Sequence, residues 1–485
     1  MAALYLAVAT TLGVAAVAVA LPISLVAGRR YAGLKADLLN FPIDDVAIPW
    51  WVIVLQAIVG VVLPVLAASI PVWRGCRISV NDALRDVGIA GAGGGGSVVM
   101  RVGGLSRPML LSLRNAFRRR QRMALTLLAL ATGGAVFLGA NNLRASVIGA
   151  TDLVFAAQRY DFVLRFAEPQ PVEVAERVVR RVAGVRDAEG WTGGRGAIVR
   201  ADGMSGSVFA ITAPPVATRL LVTAVDSGRW LRAGDGRSLV VNRSLMRLEP
   251  SLAIGKPVTV LMGGRAVEST VVGVVEGAPS PAAYASREVL APLVTDGRVT
   301  SVVVASAHEG EGNTFDLIQR LRAALGEQGM EVASSQLLAE SRRVVEDHLL
   351  MVVDFLGSVA WLMLLVGGMG LASTMGLAVL ERTREIGVLR AIGTTHRSIF
   401  AVIQMEGVTI ALLSWAVAIP LSIPMSVALA TAFGRIMLRV PVTYLPNAGG
   451  VITWLVVVLG VSVVACAWPA RRAMRVSTAA ALAYE

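Results

Sequence analysis

The sequence predicts a polytopic α-helical membrane protein of about six transmembrane helices, with an α+β domain inserted outside the membrane. Three observations predict it. Of the 485 residues, 55% are hydrophobic and the mean hydropathy is +0.67, far above what a soluble globular chain needs. Six apolar stretches reach the roughly 20 residues that a hydrocarbon core of about 30 Å requires: residues 4–28, 50–72, 123–143, 351–380, 402–432 and 450–470. Between the third and fourth lies a long polar region whose apolar residues follow a strand pattern.

The first span is too long for a signal peptide, has no basic start and meets its first arginines only at Arg29 and Arg30, so it reads as a retained helix. The second ends in basic sequence. From Arg74 to Arg122 there are ten arginines and two acids, Asp82 and Asp86, and the C-terminal tail adds Arg471, Arg472 and Arg475. The net charge of +12 therefore lies beside the membrane, and the positive-inside rule makes these segments cytoplasmic. The charge addresses the chain to a bilayer, bacterial cytoplasmic membrane by this reading, rather than to nucleic acid. Cys76 at a cytoplasmic edge and Cys466 inside a span do not suggest a disulfide.

An offset of 398 residues lays "PVWRGCRISVNDAL" (Pro71 to Leu84) on "PARRAMRVSTAAAL" (Pro469 to Leu482) without a gap, and Pro22 and Ser24 on Pro420 and Ser422. The first two spans thus repeat the last two, and the chain reads as about one and a half repeats: either a reading frame that begins upstream or a separate chain would supply the remainder. Residues 1–87 form the first partial copy. A Gly-rich cytoplasmic linker follows at 88–104. In 105–143 Met109, Leu110, Leu113 and Phe117 recur at helical spacing opposite arginines, as on an amphipathic helix along the inner membrane surface, or simply a solvated basic one, before the third span.

Residues 144–348 read as the extracytoplasmic α+β domain. The runs "FVLRF", "GAIVRA", "SVFAIT", "SLVVN", "PVTVLM", "STVVGVV" and "TSVVVAS" are β-branched and bounded by turn residues. One helix is expected from Asn313, its N-cap, to Met330. Residues 349–485 hold the last three spans and the tail. If continuous from Leu337 to Leu380, the fourth helix would run about 65 Å and act as a stiff stalk; separate short helices with a kink are the alternative.

The chemistry of an enzyme is not visible. His308 and His348 stand alone, no His or Cys pair has metal-ligand spacing, and neither a nucleophile elbow nor a phosphate loop occurs. Asp354 and Glu406 are acids within spans, near enough to an interface for a structural role as well as a transport one. Ala131, Ala135 and Gly139 on the third span, and Gly368 and Ala372 on the fourth, are spaced for close helix packing in lipid.

One polar break interrupts the apolar C-terminal third: "ERTREIGVLRAIGTTHRSIF", Glu381 to Phe400. Ile386, Leu389 and Ile392 lie on a helical stripe among charges, which suits either the lipid surface or a groove on a cytoplasmic partner. The extended stretch "LERTREIGVLRAIGTTHRSIFAVIQMEG" resembles the signature of the FtsX-like permeases, the membrane subunits of MacB-type (type VII) ABC transporters. The run "VDSGRWLRAGDGRSLVVNRSLM...LAIGKPVTVLMGGRAVESTVVGVVEG" resembles that family's extracytoplasmic domain, and "PARRAMRVSTAAAL" its C-terminal end. The likeness spans 105–485 as one four-helix unit, with the first two helices resembling the end of a preceding unit.

The resemblance implies that 381–399 is a coupling helix docking on a separate ABC-type ATPase subunit. Glu381, Arg382, Arg384, Glu385 and Arg390 would make polar contacts there, Ile386 and Leu389 would fill the groove, and Gly387 and Gly393 would permit close approach. It further implies a permease without catalysis or cofactor of its own, ATP being bound by the partner. Movement of the third and fourth helices would then reshape the outer domain (mechanotransmission), exporting or extracting a lipoprotein, peptide, lipid or drug. A second permease chain or the missing half-repeat would complete it. The alternative is a transmembrane signalling protein that regulates an exterior enzyme, such as a cell-wall hydrolase, without transport.

Overall fold

The computed structural model describes residues 2–38, 48–76, 120–200, 202–276, 280–295, 297–307, 310–438 and 442–474. The Gly-rich linker, the amphipathic stretch at 105–119, the tail from Arg475 and His308 lie outside the described residues. The chain divides into two compact units, Met1–Gly104 and Leu105–Glu485.

The first unit is a helical pair, α1 (Ala2–Leu38) and α2 (Trp50–Cys76). Both outrun their expected spans, because the apolar runs continue into residues that still favour helix. The pair closes on glycine: a Cβ at Gly13 would lie 3.3 Å from the Gly60 carbonyl oxygen and 3.3 Å from Val61 Cα. Only hydrogen fits comfortably there, and backbones that approach so closely gain dispersion contacts over their whole length. Pro22, Pro64 and Pro71 sit inside these helices without ending them, as spanning helices allow.

In the second unit four long helices form the bundle: α3 (Arg120–Ala156), α7 (Leu338–Glu381), α9 (His396–Phe433) and α10 (Ala448–Met474). Adding 398 to the bounds of α2 gives the bounds of α10, and the same shift carries Gly13 and Gly60 onto Ala411 and Val458, both buried between α9 and α10. The repeated sequence therefore coincides with a repeated helical pair. α3 is the central helix, with 50% of its most apolar window buried against 17% for α7. Its small residues make that position tenable. Ala131, Ala135 and Gly139 are all buried, and the face of Gly139 meets Leu429 and Met425 of α9. A Cβ at Gly134 would collide with the Trp454 indole, the largest fully buried side chain. Phe137 joins that indole (5.3 Å between centroids) to Trp361 of α7 (6.3 Å, edge-on). On α7, Gly368 is buried against Val461 and Gly367 against Leu130, whereas Ala372 is half-buried. Asp354 stands on the exposed side of α7.

α7 is one helix of 44 residues, about 66 Å long, so the stalk is continuous and the kinked alternative does not occur. α3 likewise continues past 143 to Ala156. The α+β domain hangs from the ends of these two rods. β1 (Phe162–Pro171) follows α3, and β10 (Val332–Leu337) runs directly into α7; the two strands pair antiparallel with Phe162 opposite Leu337. The Leu338 amide donates to the Asp161 carbonyl at 2.8 Å, and an Arg342–Asp152 ion pair ties the rods together just below.

The domain has two lobes that share β2 (Val185–Val199). Residues 185–191 pair with β9 (Arg298–Ser306) in the order β10-β1-β9-β2, covered by α4 (Val172–Arg181) and α6 (Glu311–Gly326). Residues 192–199 pair with β3 (Ser205–Ala213), from which the sheet continues through β8 (Ala282–Ala285), β5 (Ser238–Asn242), β7 (Arg265–Val275) and β4 (Val225–Gly228). β6 (Pro257–Met262) pairs with both β2 and β7, and α5 (Arg243–Leu248) packs on this lobe. Each lobe has its own apolar core. All seven expected runs fall in strands, "GAIVRA" through Val199. The first half of β2, β4, β8, β10 and α4 escaped sequence reading because they are short or carry charges on their outer faces. α6 begins at Glu311 after Gly310, two residues before the expected cap Asn313, and stops at Gly326 rather than Met330. Gly310 has φ 124°, a conformation open to glycine and strained for other residues, so the turn into the helix is fixed there.

Candidate coupling site

The polar break between α7 and α9 is built in three pieces rather than as one helix over 381–399. Arg382, with φ −107° and ψ 17°, interrupts α7; a nine-residue helix, α8 (Thr383–Ala391), follows. Gly393, at φ 101°, makes the turn that ends it. Thr395 then caps α9 by accepting from the Ser398 amide, so residues 396–399 belong to α9.

Charge and burial sort the residues of α8 into two faces. Inward, Ile386 (8% exposed) packs into the bundle core with Val379, Ile399 and Ile403, and Gly387 is buried beside it. Ile386 is therefore not available to fill a partner's groove, nor is the buried Gly387 at a surface that a partner could approach. Arg382 forms an ion pair with Glu406 at 3.1 Å, with the Glu406 side chain 7% exposed. Arg122 of α3 reaches Glu381 at 3.4 Å, and Arg390 donates to the Met474 carbonyl at 3.4 Å while lying 3.1 Å from His396. At least three of the five charges expected to meet a partner thus bind this chain's own helices. Outward stand Arg384 and Glu385 with Val388, Leu389 and Ile392, the last three 41%, 50% and 78% exposed. These positions recur at three and four residues, the spacing of one helical face.

Ile386, Arg390 and the Arg382 corner hold α8 to α7, α9 and α10, while Arg122 ties the end of α7 to α3. A carboxylate taken out of water is stable only with a close partner, so the Arg382–Glu406 pair fixes the corner between α7 and α8 to the body of α9. Beside it, a Cβ on Gly407 would overlap Cys466 Sγ, and Ser462 Oγ would be 2.9 Å away; α9 and α10 are locked there by the absence of a side chain. At the opposite end of the bundle Asn142 donates to Ser426 Oγ (3.0 Å) and accepts from the Asn447 amide (2.9 Å), and Ser146 accepts from the Leu445 amide (3.0 Å). Glu406 was visible in the sequence as an acid within a span. Its partner was not, since nothing in the residue spacing pairs Arg382 with it, and Arg122, Gly134, Gly367 and Gly407 gave no signal.

A bundle of long apolar helices, an α+β domain suspended from two of them and a short charged helix at the far end define a class: a multi-pass cell-membrane protein that joins an extramembrane domain to a membrane-surface helix. The family described as FtsX-like permease C-terminal matches residues 357–478. An uncharacterized ABC transporter permease of Methanocaldococcus jannaschii is 30% identical over 106 residues, which is 22% of this chain and 26% of that protein. The pyoverdine export ATP-binding/permease protein PvdT of Pseudomonas syringae pv. tomato is 32% identical over 177 residues, 36% of this chain and 25% of PvdT. The chain thus spans about a quarter of the length of these relatives. The periplasmic region of MacB from Actinobacillus actinomycetemcomitans aligns at 14% identity and a TM-score of 0.29, covering 40% of this chain and 95% of that one.

Proposed function

We propose that this chain is a permease subunit of an ABC transporter, and that the outward face of α8 docks on a separate cytoplasmic ATPase. The observation that carries the proposal is the two-faced construction of α8. One face, with the Arg382 corner before it, is bound to α7, α9 and α10 by burial, an ion pair and a hydrogen bond, while the other presents Val388, Leu389 and Ile392 beside Arg384 and Glu385. An apolar stripe flanked by charge is how a helix fits a partner's groove. The same corner continues into α7, a rod that ends on β10, so a push on α8 is delivered to the α+β domain. ATP belongs to the partner in this reading, and the chain supplies position and leverage.

The relatives named as ABC permeases support the reading at the level of class. Movement of the α+β domain driven through α3 and α7 is the mechanism we assign, and an exported or extracted peptide, lipid, lipoprotein or drug is the cargo class. The test is capture of the partner ATPase by the detergent-solubilised chain. Leu389→Glu with Ile392→Glu should abolish capture while leaving the chain folded and membrane-inserted; undiminished capture would overturn the docking assignment.

A further inference from the structure

The α+β domain contains a cleft of about 470 Å³ that opens where β2 passes from one lobe to the other, at Thr192. Three arginines converge on it from separate elements. Arg298 begins β9 in the first lobe, while Arg237 precedes β5 and Arg287 opens the 3-10 turn Arg287–Leu290 in the second. All three are exposed. Arg298 donates to the Pro169 carbonyl at 2.8 Å, which fixes its position. Arg237 and Arg287 make no side-chain hydrogen bond or ion pair among the described residues. Elsewhere in the domain Arg200 pairs with Glu249, Arg229 with Asp235 and Arg243 with Asp226.

We propose that this cleft binds a phosphate monoester, with the guanidinium groups of Arg237, Arg287 and Arg298 around the phosphate. Among the described lining residues three arginines outnumber one acid, Glu288, and a phosphate monoester carries about −1.5 to −2 at pH 7. Guanidinium forks match the oxygens of such a group two at a time. Leu290 and Val294 on one wall would meet an apolar part of the ligand, and the cleft falls within the roughly 300–1,000 Å³ of small-molecule sites, which favour domain interfaces. Because arginines come from both lobes, the bound ligand clamps them together. The phosphate could belong to a lipid such as phosphatidic acid or to a soluble ester. The site is independent of ATPase docking.

The test uses the full chain in phosphatidylcholine nanodiscs without any ATPase. Titration calorimetry is run with inorganic phosphate, with glycerol 3-phosphate and with a water-dispersed short-chain phosphatidic acid, and hydrogen exchange is followed over residues 286–298. Saturable binding of at least one probe, with exchange slowed in that segment, is expected. Arg237→Gln with Arg287→Gln should weaken it by at least about tenfold, the usual order for losing charged contacts, with unfolding temperature unchanged. Binding of the lipid alone or of the soluble esters alone upholds the chemistry and identifies the source. No saturable binding of any probe, or equal binding by the double variant, would overturn the proposal, leaving an exposed basic surface; so would binding of poly-glutamate in place of all three.

Discussion

Glu249 shows what a single buried carboxylate does in the α+β domain. Its side chain is 2% exposed, takes a two-pronged contact from Arg200 (2.9 and 3.0 Å) and accepts the Ser207 amide at 2.7 Å, closing the turn between β2 and β3. The Arg200 guanidinium, helped by that amide and opposed by burial, lowers its pKa from 4.5 to about 2. A carboxylate held down in the folded state stabilises it fully above the unfolded pKa, and the gain is lost as pH falls through the folded value. Thermal stability of the domain within the full chain should therefore drop between about pH 4.5 and pH 2, and Glu249→Gln should flatten the profile across that window. Glu249→Ala, which strands the Ser207 amide, should cost about 1–3 kcal/mol at neutral pH, measured by denaturant unfolding. In the membrane, Gly407→Ala forces a methyl onto Cys466, an overpacking error of about 1–3 kcal/mol. Pairing it with Cys466→Ala should restore part of the lost thermal stability in detergent; no recovery would place the strain elsewhere.

At the scale of elements, the corner between α7 and α8 decides whether the short helix is a lever or a loose flap. Its apolar contact alone is small, because burying one isoleucine contributes about 1.5–3 kcal/mol. The Arg382–Glu406 pair supplies direction as well as attachment, since a paired charge within a bundle tolerates only one partner geometry. Removing either member alone should be strongly destabilising, by about 3–5 kcal/mol, whereas the exchange Arg382→Glu with Glu406→Arg should recover much of it in a thermal-unfolding assay of the detergent-solubilised chain. Leu389→Ala behaves differently. It leaves the chain's own stability within about 0.5 kcal/mol, as exposed sites do, yet it should weaken partner capture. Ile386→Ala should do the reverse, because that side chain is spent inside the bundle.

Over the whole second unit, the continuity of α7 is what the proposed transmission of movement requires. From Leu338 to Glu381 no residue leaves the helix; on the proposed function, a push at the α8 corner would reach β10 without passing through a joint, and the antiparallel pairing of β10 with β1 would pass it to α3. Inserting Gly-Gly after Val345 would place a soft point in that rod, each glycine costing about 1 kcal/mol of helix. Hydrolysis of ATP by the bound partner should persist while cargo movement falls; full cargo movement with the insertion would show that the stalk is not the transmitting element.

Residue order alone determined the six spans, the seven β-branched strands, the repeated pair and the presence of a charged helix between the fourth and fifth spans, because lipid demands long apolar runs and pleated sheets demand β-branched ones. It also marked Ala131, Ala135, Gly139 and Gly368 as packing residues. It could not tell which face of α8 is free. Ile386, Leu389 and Ile392 are equivalent in spacing, and only the neighbours of Ile386 in α7 and α9 decide that it points inward. The pairing of Arg382 with Glu406, the collision that keeps Gly407 bare, and the convergence of Arg237, Arg287 and Arg298 on one cleft are likewise tertiary facts. Each joins residues far apart in the chain, and no local periodicity carries information about a partner that folding alone brings near.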